Sequence, residues 1–213
     1  GLWTEWHDNG QKEKEITYKN GDLVDERTFH YEYHENGQIK AEGTYKDGKE
    51  DGKWTFWYEN GQKERERNYK DGKLDGLMTI WYENGKKKLE GTYKDEKEDG
   101  LWTGLYENGK KKFEGTYENG EFEGLVTFWN ENGKKKYEGT YKDDVEIGKI
   151  EWTYYENGKK KSVGTYKYGE KDGLYTLWYD NGQKKSEQTY KDGYGDGLWT
   201  YWYENGQMEQ ERT

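Results

Sequence analysis

Two hundred and thirteen residues with a net charge of −10, 38% charged and only 29% hydrophobic, exclude a thick aliphatic core and by composition alone point towards disorder. The 18% share of Phe, Trp and Tyr opposes that, because each ring buries a large area and makes a thin, aromatic core feasible. The lack of Cys excludes disulfides and thiolate metal sites, no apolar run approaches the roughly 18 residues of a membrane-spanning helix, and the acidic balance opposes a nucleic-acid role.

The chain opens at Gly1 without an initiator Met, which leaves room for a signal peptide upstream and leaves the compartment open. The first reversal signal is Asn9-Gly10, and it recurs in phase at Asn36, Asn60, Asn84, Asn108, Asn132, Asn157, Asn181 and Asn205. The spacing is 24 residues except for 27 after Asn9 and 25 after Asn132. A Tyr series (Tyr18, Tyr45, Tyr69, Tyr93, Tyr117, Tyr141, Tyr166 and Tyr190) keeps the same phase, so residues 1–213 read as one repeat array.

Residues 16–33 form the first irregular segment, where Asp22-Leu23-Val24-Asp25-Glu26-Arg27 stands in place of the usual second turn. The regular unit is seen at Gly76 to Gly100, GLMTIWYENGKKKLEGTYKDEKEDG. Asn84-Gly85 between two aromatic or β-branched runs predicts a tight hairpin with a type I′ turn, which needs φ > 0 at both central residues. The second reversal, Lys70-Asp71-Gly72-Lys73-Leu74-Asp75-Gly76, reads as longer and Gly-punctuated. Apolar spacing follows period 2, Pro is absent and no helix is predicted. The fold class is therefore all-β: an elongated antiparallel β-meander of about nine hairpin repeats in a twisted, coiled single sheet, roughly 80 Å long. Further along, the extra residue after Asn132 predicts a β-bulge within Lys149 to Tyr155.

Leu89-Glu90-Gly91-Thr92-Tyr93-Lys94-Asp95, and still better Phe113-Glu114-Gly115-Thr116-Tyr117-Glu118-Asn119-Gly120, resemble the start of the MORN repeat. The W-T-x-W-Y-E-N-G half looks like the bacterial MORN variant with the YwqK-type antitoxin label. The resemblance covers essentially the whole chain and implies hairpin repeats with scaffolding, partner-binding or membrane-associated roles, and no reaction. Arg65, Arg67 and Asn68 depart from it, replacing an apolar residue, Gly and Thr.

Alternation sorts each strand into two faces. Trp54, Phe56 and Tyr58, joined by Leu89, Gly91 and Tyr93, form the expected core face, with Gly91, Gly115 and Gly139 letting the sheet curl. On the opposite face an aromatic column runs Trp6, Trp57, Trp81, Leu105, Trp129, Tyr154, Trp178 and Trp202. Rings about 10 Å apart make a strip larger than a monomer leaves bare. Lys and Glu stems, a second copy of the chain, or stacked sugar rings could cover it.

Lysine runs follow the Asn-Gly turns, at Lys86, Lys87 and Lys88, at Lys110, Lys111 and Lys112, at Lys134, Lys135 and Lys136, and from Lys159 to Lys161. They predict one basic rim, either a solvated surface or a site for anionic lipid or nucleic acid. His7 and His34 occupy Tyr positions, and His30 with His34 lacks a consistent metal-ligand set, so no metal, cofactor or catalytic group is expected. Neither end reads as a capping unit, which predicts a longer array or end-to-end assembly. The expected function is a non-catalytic scaffold binding a protein partner, possibly itself as a dimer or filament. The alternative is a module for anionic lipid or polysaccharide.

Overall fold

The computed structural model describes residues 1–213, which form nineteen β-strands and no helix. The chain divides into two compact units, Gly1–Gly109 and Lys110–Thr213. The first unit carries β1 (Leu2–Trp6), β2 (Lys12–Lys19), β3 (Asp22–Tyr33), β4 (Ile39–Lys46), β5 (Lys49–Trp57), β6 (Lys63–Lys70), β7 (Lys73–Leu74), β8 (Gly76–Trp81), β9 (Lys87–Lys94) and β10 (Lys97–Leu105). The second carries β11 (Lys111–Glu118), β12 (Glu121–Trp129), β13 (Lys135–Lys142), β14 (Val145–Tyr154), β15 (Lys160–Lys167), β16 (Glu170–Trp178), β17 (Lys184–Lys191), β18 (Tyr194–Trp202) and β19 (Met208–Arg212). Within each unit successive strands pair antiparallel, as a meander, with β6 shared between β7 and β8.

The two kinds of reversal are the opposite of what the Asn-Gly signal predicts. The tight two-residue turns lie at the second reversal: Asp47-Gly48 (φ 49° and 73°) joins Lys46 directly to its partner Lys49, and Asn20-Gly21, Asp71-Gly72, Asn119-Gly120 and Asp192-Gly193 repeat it. Both central residues have φ > 0, which is the type I′ signature. At Asn84-Gly85 only the glycine is left-handed (φ 77°). Gly85 N donates to Tyr82 O and Tyr82 N to Lys86 O, both at 2.9 Å, so Glu83-Asn84-Gly85 is a three-residue loop closed by a glycine bulge. The Asn side chain selects this form: its Oδ1 accepts from Lys86 N at 3.0 Å, an Asx turn that holds Asn84 out of the left-handed region.

Each regular hairpin also carries a wide bulge. Between the pairs Glu42–Thr55 and Thr44–Asp51, the single residue Gly43 faces Gly52, Lys53 and Trp54, with Gly52 at φ 76°. The Thr44 side chain closes the bulge by donating to Asp51 O. Asn68 replaces that Thr one repeat on and donates from Nδ2 to Leu77 O at 2.6 Å, on the far side of the bulge, as Thr165 does to Leu174 O at 3.2 Å.

The irregular segments fold differently from the sequence expectation. Asp22 to Arg27 is not a turn: Asn20-Gly21 makes the reversal and β3 runs on for 12 residues, with one shift at Val24 between the pairs Thr17–Asp25 and Tyr18–Leu23. In β14 the displaced residue on the β13 side is Ile147, outside Lys149 to Tyr155. There Gly148 pairs with Thr140 and has no positive φ, so the usual glycine bulge is absent and the extra residue is taken up by continuous strand.

The core is thin and one-sided at its centre. Trp54 and Trp102 are 3% and 4% exposed, and each lies flat over the glycine opposite it. A Cβ at Gly43 would sit 2.1 Å from the Trp54 ring, and one at Gly91 2.0 Å from Trp102. The indole nitrogens donate to Thr44 O and Thr92 O, both at 3.2 Å, and Tyr45 and Tyr93 meet the indoles edge-on at 5.1 and 5.2 Å. In the second unit Val126 over Gly115 and Tyr175 over Gly164 take these places. Glycine is therefore needed here for the close approach of a ring. Tyr58, expected in this core, leaves it for the rim described next.

Candidate interaction surface

The Asn-Gly rim is laced from repeat to repeat. Tyr58 Oη donates to Trp81 O at 2.8 Å, Tyr82 to Leu105 O at 2.8 Å, Tyr155 to Trp178 O at 2.6 Å and Tyr179 to Trp202 O at 2.9 Å. His34 takes the same place, its Nε2 2.8 Å from Trp57 O, as expected of a His standing in for Tyr. Asn36, Asn60, Asn157 and Asn181 each donate from Nδ2 to a carbonyl of the following turn, at 2.9 to 3.0 Å. Burial pushes the Tyr58 hydroxyl up, so it stays a donor at neutral pH. His30 lies instead on the aromatic face, 5.5 Å from Trp54 and 5.7 Å from Tyr45.

The three lysines of each run have three different surroundings. The first reaches the next turn, with Lys110 Nζ 2.7 Å from Asn132 O, Lys159 2.8 Å from Asn181 O, and Lys134 donating to Gly158 O. The second lies over a ring of this face at Trp129, Trp152, Trp178 and Trp202 and pairs with the carboxylate three residues on, except Lys160, where that residue is Val163. The strip residue Tyr154 lies under the first lysine, Lys134, at 5.0 Å. Lys111 is 5.6 Å from the Trp129 ring and pairs with Glu114, while Lys184 is 5.5 Å from Trp202 and pairs with Glu187 at 2.7 Å. Lys87 and Lys135 pair likewise with Glu90 and Glu138, and Lys135 lies 5.7 Å from Trp152. The third occupies the bulge beside the turn, where Lys88, Lys161 and Lys185 sit 5.4 to 5.8 Å from the rings of Tyr82, Tyr155 and Tyr179. Lys86 has its amide tied to Asn84, and Lys112 and Lys136 hold the bulge place in their own repeats.

This places the aromatic strip. Trp57, Trp81 and Leu105 in the first unit, and Trp129, Tyr154, Trp178 and Trp202 in the second, are all half-buried, whereas Trp6 is 57% exposed. Lys63 covers Trp81 at 5.7 Å and Lys160 covers Trp178 at 5.8 Å. Beside the rings, Thr55, Thr79, Thr127, Thr176 and Thr200 are as buried as the core tryptophans, with the hydroxyls of Thr79, Thr127 and Thr200 3.4 Å from carboxylates of Glu90, Glu138 and Glu211. Sequence alternation marked this face as the more exposed one and missed the burial of Thr. The recurring T-x-W with E on the next strand was the signal, since a small hydroxyl between a ring and a Lys–Glu pair is easily covered. Two repeats break the column, with Tyr31 and Trp152 in place of Thr.

Antiparallel hairpins repeated about every 24 residues, laced through their turns and lacking any helix, define a β-hairpin repeat protein. The family model of the MORN repeat variant matches nine times, at residues 1–20, 30–47, 50–71, 74–95, 98–119, 122–143, 151–168, 171–192 and 195–213, and the chain belongs to that family. Apart from short gaps at the tight turns, the unmatched stretches are 21–29 and 144–150, where β3 and β14 pass without the usual glycine bulge. Among solved structures, similarity extends to the crystal structure of TcdB2-TccC3-Cdc42 (11% identity, TM-score 0.30) and to the Photorhabdus luminescens Tc holotoxin pore (10% identity, TM-score 0.31). Each match covers 99% of this chain and 13% of the other, so the chain spans a small part of those proteins. No curated protein matches the chain. No helix is long and apolar enough to cross a membrane.

Proposed function

We propose that this chain is a non-catalytic interaction scaffold that receives a protein partner, a second copy of itself included, on its tryptophan–lysine face. One observation carries the reading: in three repeats a half-buried ring lies beneath a lysine that is itself paired with a glutamate, at Trp81 with Lys63 and Glu66, at Trp129 with Lys111 and Glu114, and at Trp202 with Lys184 and Glu187. Such a cover is held by side chains alone and can be exchanged for a partner's side chains, while the backbone ladder beneath stays whole. The lysines favour a protein over an anionic lipid, because their ammonium groups are already engaged with carbonyls, carboxylates and rings of their own chain. The bacterial, YwqK-type antitoxin label belongs to the same proposal and would make the partner a protein held inactive by being bound.

The test is light scattering over a concentration series on the wild type and on Trp57→Ala/Trp81→Ala, with a photo-crosslinking residue placed at Trp57 in a third sample. A mass that rises with concentration in the wild type alone, with crosslinks from that site to protein and unchanged far-UV circular dichroism, supports the scaffold reading. A mass fixed at one chain, with no protein crosslink in cell extract, refutes it.

A further inference from the structure

We propose that Arg65 and Arg67, on the aromatic face of the first unit, form a binding subsite for a carboxylate carried on an aromatic or apolar group. This lies on the face opposite the tryptophan–lysine strip and stands independently of the scaffold reading.

The two arginines break the repeat in a correlated way. Arg67 occupies the place of Gly43 and Gly91, and the residue in the place of Trp54 and Trp102 is then Met78, a smaller and more adaptable side chain. Arg65 takes the place of Ala41 and Leu89. The change that brings in Arg67 thus removes the indole that would collide with it.

Arg67 has no carboxylate partner, and Arg65 has only its chain neighbour Glu64. Arg67 has one polar contact, a long 3.5 Å approach to Tyr69 Oη, and no carboxylate within 4 Å. Arg65 lies over Phe56, its guanidinium carbon 4.2 Å from the ring centroid, and meets only Glu64, at 3.6 Å. The Nε atoms of both are buried without a hydrogen-bond partner. Of the other arginines, Arg27 is bound to Asp25 at 3.1 Å and Asp51 at 3.6 Å, whereas Arg212 has no carboxylate partner but donates to Tyr201 Oη at 2.9 Å and lies over Trp199. A partly desolvated guanidinium without a counter-ion, as at Arg67, is costly, and a carboxylate is the anion whose two oxygens match its planar donors. The surroundings choose the rest of the ligand. Phe56 and Tyr69, both half-buried and each packed on the buried Trp54 at 6.3 Å, set apolar rings beside the two charges.

The experiment is a titration of the whole chain with sodium benzoate, and separately with sodium acetate, at constant ionic strength, read from the arginine Nε–Hε signals in nitrogen-15 NMR. With only four arginines in the sequence, Arg27 and Arg212 serve as internal controls. Saturable shifts at Arg65 and Arg67 alone, with benzoate binding about tenfold tighter than acetate, are expected. Arg67→Gly/Met78→Trp restores the glycine–indole pair used at Gly43 and Gly91, and should keep the fold while abolishing the saturable shift at Arg65. Arg65→Leu, which restores the residue found at position 89, should do the same at Arg67. Equal, non-saturating shifts at all four arginines, acetate binding as well as benzoate, or saturable binding that survives in both variants would overturn the proposal.

Discussion

Replacing Gly91 by Ala tests the glycine–indole pairing on which the core rests. The added methyl would lie 2.0 to 2.5 Å from three atoms of the Trp102 ring, far inside contact distance, so the ring must leave. It cannot slide along the strand, because Trp102 Nε1 is held by Thr92 O at 3.2 Å and Tyr93 closes the ring edge-on at 5.2 Å. Complete removal of a buried Trp costs about 3–5 kcal/mol, and overpacking that is partly relieved costs about 1–3 kcal/mol. Alanine returns up to about 1 kcal/mol by lowering the chain entropy lost in a strand. The expected net loss is about 2–3 kcal/mol, read as earlier urea unfolding and as faster amide exchange confined to β9 and β10. In a Trp102→Ala background, where the ring is gone, the same Gly91→Ala change should cost less than about 0.5 kcal/mol. A loss below that value in the wild-type background, or equal losses in both backgrounds, would refute the reasoning.

At the tight turn before β10, Glu96 holds φ 69° where Gly48 and Gly72 stand elsewhere, so Glu96→Gly should raise stability by about 1 kcal/mol, seen as a later urea midpoint. Tyr58→Phe removes the hydroxyl donated to Trp81 O and should cost about 1 kcal/mol, with faster exchange at the neighbouring turn amides. Lys63→Ala uncovers Trp81, and should change stability by less than about 1 kcal/mol while increasing acrylamide quenching of the indole. The Lys46 ammonium, and then Arg27, hold the Asp25 carboxyl below the usual carboxylate range. Its stabilising effect is therefore present above that range and lost as pH falls through the lowered value. Lys46→Met should flatten this acid-side dependence in a melting-temperature series.

The period, the all-β class and the separation into two faces were legible because each depends on local signals: recurring turn residues and strict alternation. The turn types were not. Asn84-Gly85 reads as the tighter hairpin, and the Asn side chain then takes Lys86 N and forces the longer loop, while Asp47-Gly48 makes the tight one. Alternation alone places Tyr58 in the core, because the register shift between Phe56 and Trp57, with Glu64 displaced on the partner strand, and the carbonyl of the next repeat are invisible in one strand. The lysine runs read as one basic rim, whereas each lysine of a run meets a different partner on a neighbouring strand or turn.

By itself the sequence determined that residues 1–213 are repeated antiparallel hairpins of about 24 residues carrying an aromatic face, since hydrogen-bonding strands need only alternation and well-placed turns. Only the tertiary structure decided which glycine lies beneath an indole, which lysine covers a strip tryptophan, and that the Nε atoms of Arg65 and Arg67 are buried without a hydrogen-bond partner. Those facts join residues on different strands, and strand register, bulges included, sets which side chains meet.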